Sequence, residues 1–84
     1  MYRFTEEEVL KIIEEAIELE KGTININSNP NNVSEWDSLG HLNILMLLDK
    51  KLDGKASNFT ELGRALSVKK IITFLKNNNF YNNI

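Results

Sequence analysis

A chain of 84 residues has room for one domain spanning residues 1–84 and one modest hydrophobic core, which excludes a second folding unit and a deep enclosed active site. Apolar residues at 42% against 26% charged describe a globular chain and exclude disorder throughout, while the absence of cysteine excludes disulfides, thiolate metal sites and a cysteine nucleophile. The net charge of −2 divides into −6 up to Asp37 and +4 from Ser38 onward, and a negative chain whose bases gather on no one face is not expected to bind nucleic acid.

Thr5-Glu6-Glu7-Glu8 reads as a capping box that starts a first helix. Val9, Ile12, Ile13, Ala16, Ile17 and Leu19 recur at helical spacing on its apolar side, with Phe4 as a staple before the cap. Glu7, Lys11, Glu14, Glu15 and Glu18 fall on its solvent side, and Lys21-Gly22 supplies the stop. The next segment, 23–35, is rich in asparagine and holds the single proline, Pro30. Ile24 and Ile26 alternate with asparagines, but a lone strand has no partner, so a long loop pinned to the helices is expected. Trp36, just before the next cap, is expected to anchor that loop against the core, the alternative being a partner-binding role.

Asp37 is a good N-cap, and Ser38 then becomes the first residue of a second helix that continues to Leu52 without a proline. Ile44, Leu45, Leu48 and Leu52 form a buried side, yet Leu39, Leu42, Met46 and Leu47 place apolar groups on much of the remainder. A helix apolar nearly all round is either buried on every side or has a face waiting for a partner, and so small a domain favours the second. Asp53-Gly54-Lys55 closes it. Asn58 or Thr60 caps a short third helix containing Leu62, with Phe59 in the core. Ser67 caps a last helix with the stripe Val68, Ile71, Ile72 and Leu75 and Phe74 at its edge, ended by Asn77-Asn78-Asn79. The tail from Phe80 either folds back through Phe80 and Tyr81 or frays. The fold expected is therefore all-α, a small four-helix bundle of three main helices and one short one with a long first loop.

Asp37-Ser38-Leu39, followed at a spacing of two by Leu42 and the run Ile44 to Leu48, resembles the Asp-Ser-Leu attachment motif of acyl and peptidyl carrier proteins. The resemblance spans most of the chain. It implies that Ser38 carries a 4′-phosphopantetheine arm derived from coenzyme A, which holds cargo as a thioester, and that the chain itself is not an enzyme. A phosphopantetheinyl transferase with magnesium would attach the arm, Asp37 helping to organise that metal. Leu39, Leu42, Asn43 and Met46 match the positions that dock acyl- or aminoacyl-loading and acyl-transfer enzymes, and Leu62 is expected to join them beside the arm.

Departures from the family pattern qualify the pathway. Many fatty acid carriers have an acid where this chain has Asn43, and here Asp49 and Asp53 are balanced by Lys50 and Lys51. Docking on basic patches should weaken, which points to a specialised pathway rather than bulk fatty acid synthesis. His41, the single histidine, lies one turn after Ser38; with no orienting acid evident it is expected at the surface beside the phosphate, pairing with it when protonated. Metal binding is unsupported with one histidine and no cysteine. No segment reaches the ~20 apolar residues that span a bilayer, and residues 1–8 hold no apolar secretion signal, so a soluble cytoplasmic monomer is expected. The alternative is an unmodified helical protein-protein interaction module with the same apolar face.

Overall fold

The computed structural model describes residues 2–54 and 59–82. It contains α1 (Glu6–Ala16), α2 (Ser38–Lys51), α3 (Phe59–Gly63) and α4 (Val68–Asn77), with a long connection between the first two. Among the described residues there is no strand, and no helix is long and apolar enough to cross a membrane. α1 packs on α2 and α4, and α3 fills the space between α2 and α4.

The helix starts follow from their caps. The Thr5 hydroxyl accepts from the Glu8 N–H at 3.2 Å while Glu8 Oε1 accepts from the Thr5 N–H at 3.0 Å, completing the capping box. Glu8 Oε2 also accepts from the Tyr2 hydroxyl; that bond, with the Thr5 N–H, holds the Glu8 carboxyl below the usual range. Ser67 caps α4 by accepting from the Lys70 N–H at 3.0 Å. In α3, Thr60 lies within the helix; Asn58 and the Phe59 side chain are outside the described residues.

The end of α1 departs from expectation. The helix stops at Ala16, well before Lys21-Gly22, because Glu18 turns left-handed at φ 57°. That turn brings the Leu19 N–H to the Glu14 carbonyl at 2.9 Å and the Glu18 N–H to the Glu15 carbonyl at 3.3 Å, a Schellman closure built without glycine. Asp53 (φ 52°) and Asn79 (φ 61°) close α2 and α4 the same way. Gly22, at φ 90°, makes a separate turn whose N–H reaches Glu14 Oε2 at 2.9 Å, and the Ile24 N–H reaches the same oxygen at 3.0 Å. Glu14 is consequently buried rather than solvated, its carboxylate standing in for the partners that the turning backbone would otherwise lack.

The long connection is held by its asparagines. Asn25 and Asn29 each accept from the N–H two residues on, at 2.8 Å, and Asn32 accepts from the Asn29 N–H at 2.9 Å. Ser28 is buried; its hydroxyl accepts from the Asn25 N–H, and its carbonyl accepts from the Val68 N–H at 3.1 Å, fastening the loop to the start of α4. The stripes of α1, α2 and α4 then form one core with Phe4, Ile24, Trp36, Leu62 and Phe80. Phe74, expected at the edge of α4, is buried with them.

Of its two readings the tail takes the first, folding back. The Phe4 N–H donates to the Phe80 carbonyl at 2.7 Å and the Asn82 N–H to the Phe4 carbonyl at 2.8 Å, a single parallel bridge between Phe4 and Tyr81. Replacing Glu14 by alanine removes the acceptor of two loop N–H groups and should lower the unfolding free energy by about 2 kcal/mol or more, whereas Glu15→Ala on the exposed side should stay within about 0.5 kcal/mol. Urea denaturation of the two variants checks this, and equal losses would mean that the Glu14 contacts carry no stability.

Candidate functional site

The start of α2 is fixed from three directions. Asp37 Oδ1 accepts from the Gly40 N–H at 2.8 Å, and the Asp37 carbonyl accepts the first helical bond from the His41 N–H at 2.8 Å. Gly40 is then pressed against the preceding loop and the end of α1: a Cβ there would lie 2.6 Å from the Glu35 carbonyl oxygen and 2.9 Å from Ile17 Cγ2. Glycine is required at this position because backbone, not a movable side chain, occupies the space. Ser38 emerges from this anchored turn as the first residue of α2, exposed to solvent.

Behind Ser38, Trp36 is almost fully buried and its Nε1–H donates to His41 Nδ1 at 3.1 Å, the rings stacked 6.1 Å apart at 21°. The expectation of a surface histidine is corrected here: His41 is only 6% exposed. One turn of helix carries its side chain back toward Trp36 and α3, a placement that sequence spacing alone does not separate from a surface one. Burial pushes the His41 imidazole below its ordinary value of 6.5, with the Leu62 and Gly63 carbonyls opposing the shift. Because Nδ1 accepts from Trp36, the neutral ring carries its proton on Nε2. That Nε2 is buried against the Leu62 and Gly63 carbonyls. The ring therefore offers Ser38 no free basic nitrogen, and a serine-histidine nucleophile pair is not assembled.

Ser38, Asp37, Trp36 and His41 share a cleft of about 520 Å³ with Pro30, Gly63 and Leu66. The cleft is open to solvent and is walled mainly by apolar surface. Pro30, Gly63 and Leu66 come from segments far apart in the chain, so no local pattern in the sequence links them to Ser38. On the other side of the same turn, Glu15, Glu18, Glu35 and Asp37 line an acidic cleft together with Leu39 and Asn43.

The outer face of α2 carries Leu39 (68% exposed), Leu42 (46%) and Met46 (58%), one stripe at helical spacing. Asn43 is half-buried beside it. Leu62 does not join this face. It is 0% exposed and packs into the core. Leu66, 47% exposed in the connection after α3, takes the place expected of Leu62 at the rim of the cleft.

No protein-family model matches this chain, and no curated protein or solved structure is detectably similar to it.

Two measurements probe the anchoring. Gly40→Ala should destabilise the fold by about 1–3 kcal/mol through the clash with the Glu35 carbonyl, read by chemical denaturation. For His41 the folded form binds its proton less readily than the unfolded chain, so stability is fully present above the ordinary value of 6.5 and declines as pH falls through it. NMR titration of the ring should give a value below 6.5, and the fall in stability between pH 7 and pH 5 should flatten in His41→Asn.

Proposed function

We propose that this chain is a carrier protein of the acyl and peptidyl carrier kind, its four helices arranged as in that family, and that Ser38 is the residue that takes a 4′-phosphopantetheine arm from coenzyme A. The observation that carries this is the exposed Ser38 hydroxyl at the first residue of a capped, rigidly seated helix, opening on an apolar cleft. The residues present fit such a group. The start of α2 favours the negative charge of a phosphodiester. The cleft beside Ser38 has apolar walls for the arm's hydrocarbon portions.

When bound, the arm supplies a terminal thiol on a flexible tether that holds an acyl or aminoacyl group as a thioester. The chain's own part is positional. Asp37 fixes the first turn, so Ser38 stays at the surface within reach of a phosphopantetheinyl transferase, and the Asp37 carboxylate stands next to the serine where that enzyme would bring its magnesium. Leu39, Leu42 and Met46, with Asn43 at their edge, form the docking face for loading and transfer enzymes. Neutral Asn43 and the lysines Lys50 and Lys51 on the same helix favour partners of a specialised pathway over enzymes that dock through basic patches. The protein works as a cytoplasmic monomer, catalyses nothing itself, and raises the effective concentration of its cargo at each partner.

A second reading keeps the exposed apolar face and drops the arm: an unmodified interaction module that binds another protein through Leu39, Leu42 and Met46. Coexpression with a broad-specificity phosphopantetheinyl transferase separates the two. Intact mass should show one phosphopantetheine added to the wild type and none to Ser38→Ala, and an unchanged wild-type mass leaves only the interaction module. Met46→Glu should leave the melting temperature almost unchanged while lowering kcat/KM of the cognate loading enzyme about tenfold, since it removes apolar contact at an exposed site.

A further inference from the structure

We propose that the outer face of α2 pairs antiparallel with the same face of a second copy of this chain, Lys50 of each copy reaching the acidic cleft at the start of α2 in the other. Leu39, Leu42 and Met46 are exposed, and Lys50, one turn beyond Met46, continues their row in solvent. The opposite end of the row carries the reverse charge. Leu39 and Asn43 share their cleft with Glu15, Glu18, Glu35 and Asp37, and no basic residue lines it. The face is therefore acidic at its first turn, apolar in the middle and basic at its last.

Such a face fits a surface with the opposite order, and the same helix run the other way has that order. A two-fold axis through the middle of the row, between Asn43 and Met46, lays one α2 on the other with its direction reversed. Met46 of each copy then packs on Leu42 and Asn43 of the other. The hydrocarbon stem of Lys50 lies along Leu39 and carries its ammonium to the carboxylates of the cleft. The flanks agree, because this rotation keeps the α1 sides of the two helices together. On that side stand the acidic cleft, which the end of α1 helps to line, and Lys51, whose charge acts on Glu8 of α1. Asp49 is half-buried and falls on the other side of the row by helical spacing, beside Leu42 and away from the second copy's carboxylates. A contact confined to one 14-residue helix, about 21 Å long, falls short of the roughly 800 Å² per partner of a standard interface, so the pair is weak and salt-sensitive. An enzyme that takes the stripe displaces the second copy. The species that works with partners remains the monomer, and pairing needs no arm.

Sedimentation velocity of the full, unloaded chain from about 10 µM to about 1 mM tests this. The weight-average sedimentation coefficient should rise toward that of a dimer, and added salt should reduce the rise. Lys50→Glu should lower the association constant about tenfold, as should the double variant Glu15→Lys with Glu35→Lys. Mixed in equal amounts, the two variants should associate at least as well as the wild type, because each meets its opposite charge at both ends of the row. A change in folding or solubility alone does not produce that rescue. If a variant does not fold, wild-type amide shifts decide: they should move with concentration at Leu39, Leu42, Asn43, Met46 and Lys50 and stay fixed on α4. A chain that is monomeric throughout overturns the pairing, as does association that Lys50→Glu leaves unaltered or a mixture that stays monomeric; a different protein must then cover the stripe. None of these results bears on whether Ser38 is loaded.

Discussion

The backbone contact at Gly40 governs the arrangement around Ser38. With no side chain at that position, the first turn of α2 sits directly on the Glu35 carbonyl and on Ile17 at the end of α1. Asp37 accepts from the Gly40 N–H, so cap and close approach act on the same residue. Once that turn is fixed, Trp36 on one side and His41 on the other are carried into the interior, where they bond to each other. The exposed serine lies between two buried rings, and its position is inherited from theirs.

α2 faces two ways. Its inner side supplies Ile44, Leu45, Leu48 and Leu52 to the core, and its outer side leaves three large apolar groups in water. Burial of the inner side is what stabilises the helix; the outer side contributes nothing of that kind and exposes hydrocarbon that a partner would cover. The division of charge along the sequence has a local counterpart. Glu6, Glu7 and Glu8 lie at the start of α1, and Lys50, Lys51 and Lys76 at the ends of α2 and α4, each on the side its helix dipole favours.

Much of this was legible in the sequence wherever the determinants are local. The capping box at Thr5, the aspartate and serine caps at Asp37 and Ser67, and the apolar stripes of α1 and α4 depend on residues within a turn or two of each other, and the helices begin where those signals lie. What escaped depends on contacts between distant segments or on conformations a residue type only permits. Glu14 reads as a solvent-facing helical acid until the turn at Gly22 folds back onto it. Glu18, Asp53 and Asn79 adopt a left-handed backbone that no glycine advertises, so the end of α1 was placed too late. His41 reads as a surface residue by spacing, and only Trp36 and α3 make it an interior one. Leu62, expected beside the docking face, is interior for a similar reason: on a five-residue helix, which way a leucine faces is set by the neighbours and not by periodicity.

The clasp between Phe4 and residues 80–82 brings the two ends of the described chain side by side, at the start of α1. Ser38 lies near the other end of that helix, about 16 Å away along its 11 residues. Any sequence joined to either end, whether a fluorescent label, a surface tether or a neighbouring domain, would leave from a region remote from the serine.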